Sequence, residues 1–242
     1  MIKYFKNIKE KFKQRKILNE FLSEISDLNE VLLEKRIEIF KEKVTPLFAN
    51  IGLTNWNGKY IWFSDFNEHG IKHVIEYNVF KHYGGSFSYG NCFYSLSTTS
   101  GGKRLINHKT DKSTKIHFFK RIDKWQRSMD INSQDRSYML STINESKFRL
   151  SIDTVLEENI SKIQNWFLKM RTLDENIEGL KYDLKNPVFS IGQRIISTEY
   201  ILSFLYKEKG EKELAESFMK KHLTKDLNSS IEKELLIKRI KL

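Results

Sequence analysis

Apolar residues recur with helical spacing at the start of the chain. Ile2, Phe5, Ile8 and Phe12 lie three or four apart, and Leu18, Leu22 and Ile25 continue the same face. The pattern predicts an amphipathic helix over 2–25. A second helix follows on Leu33, Ile37, Phe40, Val44 and Leu47. Its polar side carries Glu34, Glu38 and Glu42 four apart, interleaved with Lys35, Lys41 and Lys43. Pro46 falls late in that pattern and predicts a kink; Gly52 marks the end. From Gly58 the period drops to two. Lys59–Phe63 is a strand, and residues 71–82 alternate, with Ile71, His73, Ile75, Tyr77 and Val79 on one face. Gly84-Gly85 reads as the turn into a strand over Phe87–Leu96. Residues 97–114 read as loop, and Lys115–Ile122 as a fourth short strand.

Helical spacing returns after Ser151 with Leu156, Ile160, Ile163, Phe167 and Met170, behind a capping-box spacing at Thr154 and Glu157. A second box, Thr172 and Glu175, opens a short helix expected to end near Gly179. Asn186-Pro187 reads as a linker, and the tail as helices over 198–209, 211–222 and 230 onward. The expected fold is therefore α+β: an antiparallel four-stranded sheet flanked by helices, with a C-terminal helical hairpin. The expected divisions are an N-terminal amphipathic helix (1–32), an α+β domain (33–185) and a helical tail (186–242).

Composition narrows the class. The 242 residues include 17 Phe, 10 Tyr and 4 Trp, enough aromatic surface for a packed core, against two Pro and 11 Gly. The mean hydropathy is −0.53 and no apolar run approaches bilayer-spanning length. Lysines interrupt Met1–Lys16 too often for a signal-peptide core, so the expectation is a cytoplasmic chain; Phe5, Ile8 and Phe12 opposite several lysines suit a packed terminal helix as well as a membrane surface. A single cysteine, Cys92, excludes an internal disulfide and a cysteine-built zinc site; a buried, inert thiol is expected.

The net charge of +11 is concentrated. Lys103, Arg104, Lys109, Lys112, Lys115, Lys120, Arg121, Lys124 and Arg127 crowd one stretch that holds only Asp111 and Asp123 as acids, with Phe118, Phe119 and Trp125 between them. Such a stretch suits an acidic partner protein, and interleaved rings with cations also suit single-stranded nucleic acid. No catalytic motif accompanies it. The six histidines form no H-E-x-x-H pattern, and His73 reads as a core histidine. Asp65, Glu68, His69 and Glu76 are the densest acidic group, but turn chemistry already explains Asp65–Gly70. Tyr83–Gly90 is glycine-rich without the spacing of a phosphate loop. In the tail, Leu202, Tyr206, Gly210, Ala215 and Met219 follow tetratricopeptide-like spacing for a single unit.

The run from Ile39-Phe40 through Val44-Thr-Pro46-Leu47-Phe48, Gly52-Leu53 and Tyr60–Phe63 resembles the bacterial domain-of-unknown-function family 4304. So does Ile163–Leu168 followed by Thr172–Glu175. The resemblance covers roughly residues 33–185 and departs from the family at 97–114 and 128–150. It implies an α+β fold with an antiparallel sheet and carries no reaction or catalytic residues. By association it places the chain among accessory or immunity proteins. The leading expectation is thus a non-enzymatic accessory protein that binds another protein, of immunity or defence-complex type. Nucleic-acid binding through 103–127 is the first alternative. A metal-dependent nuclease or hydrolase using Asp65, Glu68 and Glu76 is the second. No catalytic residue, metal site or small-molecule cofactor is expected.

Overall fold

A computed structural model describes residues 30–80, 84–100, 104–122, 139–186, 196–225 and 230–241. The helix expected over 2–25 lies outside them, as do Lys103, Lys124, Trp125, Arg127 and Pro187. The fold is α+β with an antiparallel sheet. Its path is β1 (Asn55–Trp56), β2 (Ile61–Phe63), β3 (Ile71–Phe80), β4 (Gly84–Phe93) and β7 (Phe118–Arg121). β8 (Leu140–Ser141) joins β4 on the same edge as β7. A separate hairpin pairs β5 (Ser97–Ser100) with β6 (Arg104–Asn107).

Strand alternation sorts the sheet into two faces. On one, Trp62, Ile75, Tyr77 and Phe87 meet Phe40, Val44 and Phe48, together with Phe148, Ile152 and Val155 of the long helix. Phe40 is the hub, with ring centroids 4.9 Å from Tyr77 and 5.5 Å from both Trp62 and Phe148. At the other end of this face, Ile71, Phe93 and Phe118 pack against the C-terminal helices. The opposite face holds a smaller cluster of Phe63, Val74, Cys92 and Ile116, to which no helix among the described residues contributes.

The first helical stretch does not simply kink at Pro46. It runs as α1 (Leu33–Ile39), a π turn (Phe40–Val44) and α2 (Thr45–Asn50). Proline has no N–H to offer the Glu42 carbonyl, so the helix widens, and the Thr45 N–H bonds the Phe40 carbonyl instead. The Thr45 hydroxyl donates to the same Phe40 carbonyl at 3.1 Å and accepts the Trp62 indole N–H at 2.9 Å, which ties the helix to β2.

Three expectations change. Gly84-Gly85 is not the turn but the start of β4, paired with Phe80 and Val79. The Tyr77 ring lies where a Gly85 side chain would stand, so the glycine serves packing instead of a turn. Residues 97–114 are not all loop, because the β5–β6 hairpin occupies 97–107. The long helix α3 (Glu145–Lys169) begins six residues before the expected start. Asn144 is its cap, accepting from the Lys147 N–H, while Thr154 sits mid-helix with its hydroxyl on the Leu150 carbonyl.

The Thr172–Glu175 capping box forms as expected, but α4 (Leu173–Lys185) runs on through Gly179. The helical tail is α5 (Thr198–Glu208), α6 (Lys212–Lys225) and α7 (Ser230–Lys241). It folds back onto its own chain: Tyr200 donates its hydroxyl to the Ser97 carbonyl at 2.5 Å, and Lys209 pairs with Asp174 of α4. Among the described residues no helix is long and apolar enough to cross a membrane.

Candidate interaction surface

The basic stretch is divided by the fold. Within β7, Lys120 and Arg121 are neighbours and therefore point to opposite faces. Lys120 turns to the helical face, where its Nζ lies 2.6 and 2.8 Å from the Asp183 carboxylate. Arg121 turns to the other face, its guanidinium over the Phe80 ring. Phe118, only 2% exposed, packs edge-to-face on Trp166 at 5.4 Å, and Phe119 lies against the Phe63 cluster. Of the three rings expected to stack on bases, Phe118 and Phe119 are used for packing, and Trp125 lies outside the described residues.

Arg104, Lys109, Lys112 and Lys115 behave differently. All four are exposed and none forms an ion pair among the described residues. Lys109 lies 4.2 Å from the centroid of the half-exposed Tyr94 ring. The segment that carries these lysines, 108–117, is fixed from both ends. A 3₁₀ turn (Asp111–Ser113) is capped at Thr110, whose backbone N–H and side chain both bond Ser113. Asp111 reaches down to Lys72, Nζ to Oδ1 2.8 Å. Lys72 is 2% exposed and sits between the Phe63 and Phe66 rings, 4.6 Å from each centroid. A lysine can be buried there because its cation has a carboxylate and two ring faces around it.

Two histidines complete the attachment. The Thr98 hydroxyl donates to Nε2 of His108 at 2.7 Å, and His108 Nδ1–H donates to the Ser113 carbonyl at 2.7 Å. The His117 backbone N–H bonds the Asn91 carbonyl, while its Nδ1 accepts from the Phe93 N–H at 3.0 Å. Burial pushes both imidazoles below the ordinary histidine range, His117 well below it, and Lys115 adds to the effect. The Cys92 thiol contacts the His108 carbonyl and is pushed up to about 11, mainly by burial. It is a buried thiol, as its alternation with apolar neighbours suggested.

The acidic group does not assemble. Asp65 accepts from Asn55 at 3.2 Å, Glu68 lies beside His69, and Glu76 stands in β3 between Ile61 and Ser88. Burial raises the Glu76 carboxyl, with Lys115 acting against it. Among the described residues no three His, Cys, Asp or Glu side chains are grouped to hold a metal ion. His73 is a core histidine, stacked on Phe167 at 4.5 Å. It bonds Asn91, which in turn bonds Asn176 and the Met170 carbonyl.

Sequence reasoning missed the clamp made by Lys72, Asp111, His108 and His117. Its members come from β3, the turn and the strand entry, and no local spacing links them. Their one visible sign was Lys72, a cation in a strand otherwise apolar on both faces at that end. Comparison of the chain with protein-family models, with curated proteins and with solved structures finds no match.

Proposed function

We propose that this chain is a binding protein that presents Lys109, Lys112 and Lys115 to an acidic partner protein. The observation that carries the reading is the contrast among its cations. Lys72 and Lys120 are matched inside the molecule, while Lys109, Lys112 and Lys115 are exposed and form no ion pair among the described residues, on a segment clamped at several points. Cations carried on a fixed backbone attract an acidic surface at long range and meet it in one arrangement. The association of small domains like the resembled family 4304 with bacterial conflict systems suggests an acidic toxin or defence-complex subunit as the class of partner. Nucleic acid is less well served among the described residues, since Phe118 is buried and Phe119 is partly buried against the Phe63 cluster.

The test is capture of partners from the native host by the tagged protein. It would be compared with a Lys109→Glu, Lys112→Glu, Lys115→Glu variant after nuclease treatment, at low and high salt. The expected outcome is a protein bound at low salt that survives nuclease and weakens by about tenfold or more in the variant. Recovery of nucleic acid alone, or a protein held equally by the variant, overturns the reading.

A further inference from the structure

His117 is 1% exposed and its hydrogen bonding fixes its protonation state. Because Nδ1 accepts from the Phe93 N–H, the ring proton must sit on Nε2, and that atom has no hydrogen-bond partner among the described residues. The His117 ring meets the His108 ring edge to face, with centroids 4.9 Å apart. His108 donates Nδ1–H to the Ser113 carbonyl and sets Nε2 on the Thr98 hydroxyl, so it can take up a proton without losing either bond, and burial is what disfavours its charge. A proton added to His117 would go to Nδ1, so that two donors would face each other where a bond now stands. A proton on both rings would set two cations side by side in a dry site.

The remaining charged and titratable groups offer little to offset such charge. Lys115, on the segment itself, is repulsive. Lys72 of β3 is cationic, and the carboxylate of Asp111 on the turn is already committed to it. Cys92 of β4 is a neutral thiol in contact with the His108 carbonyl. From the C-terminal helices, Tyr200 has its hydroxyl on the Ser97 carbonyl.

We propose that His117, with His108 against it, is an acid-operated latch. Neutral, it fastens the 108–117 segment to the end of β4; protonated, it releases the segment and the lysines on it. The consequence for partner binding rests on the function proposed above, whereas the latch itself does not. Acid would therefore loosen the basic surface although its lysines stay fully charged. Each histidine that takes up a proton on opening raises the opening equilibrium by at most roughly tenfold per pH unit, from about pH 6.5 down to where it titrates in the closed form, so the pair gives between about tenfold and a hundredfold per unit.

Hydrogen exchange of the full chain without any partner, followed by mass spectrometry and corrected for the intrinsic pH dependence of exchange, reads the latch directly. Peptides covering Phe93 and 108–117 should lose protection as pH falls, while peptides of α3 keep theirs. His117→Asn can still accept from the Phe93 N–H but cannot titrate, and should reduce the slope to about tenfold per unit or less. His108→Gln is the second variant and should do the same if the first fails to fold. Protection unchanged until α3 opens as well, or an unreduced slope in the folded variant, overturns the latch. Failure to find an acidic partner leaves this measurement untouched.

Discussion

Gly90 shows how much a single hydrogen atom in place of a side chain can decide. It lies mid-strand, opposite Val74 on one side and Phe119 on the other. A Cβ there would fall on the Phe118 carbonyl oxygen and against the Ile116 side chain. The obstacle is backbone, which cannot rotate away, so Gly90→Ala must push β7 off β4 or bend it. The expected cost is about 3 kcal/mol, read as a lower urea midpoint with unchanged slope. Gly52 has open space around it and only its φ of +93° to defend, so Gly52→Ala should cost about 1 kcal/mol. Equal effects at the two positions would refute the steric argument. Neither demand was legible beforehand: Gly90 ended a glycine-rich run whose first pair looked like a turn, and a close approach by another strand leaves no mark on local sequence.

For segments, legibility followed the length of the periodic pattern. The ten-residue strand β3 showed its two faces in the sequence because every second residue from Ile71 to Val79 is apolar or aromatic. The α5–α6 hairpin was equally clear, with Gly210 at φ +81° turning the chain where expected. The β5–β6 hairpin was hidden by its composition, Ser97-Thr-Thr-Ser100, which reads as loop. The 108–117 segment was hidden for another reason, since what orders it is a contact with Lys72 on a distant strand. Asp111→Asn leaves the Lys72 ammonium caged between Phe63 and Phe66 with no counter-charge, at an expected cost of about 2 kcal/mol. Lys72→Met replaces the cation by an apolar chain of similar length and should cost under about 1 kcal/mol. Thermal unfolding of the two variants separates the cases: a lysine variant that is the weaker of the two would mean the ammonium contributes something beyond its pairing with Asp111.

Across the whole molecule, the sequence suggested a tail beginning near residue 186, yet the core does not divide there. Ile71, Phe93, Leu96 and Phe118 of the sheet region share one apolar cluster with Ile201, Leu202, Phe204 and Leu205 of α5 and with Met219 of α6. The Tyr206 and Phe218 rings stack at 5.5 Å within the tail, and Lys207 donates to the Arg239 carbonyl, so the three tail helices hold together as they cover the sheet. The Phe40 cluster lies at the other end of the same sheet face and draws nothing from the described residues of the tail. Removal of residues 196–242 should therefore have unequal effects. The end of the sheet near Phe93 loses its cover, and with it the platform on which Ser97 and the 108–117 segment rest. The aromatic hub around Phe40 keeps its partners. A truncated chain should bind a hydrophobic dye and unfold at lower temperature than the full chain, with near-normal packing signals from Trp62 and a loss of protection at Phe93 and 108–117. A truncated chain as stable as the parent, with that segment still protected, would show the tail to be an appendage after all.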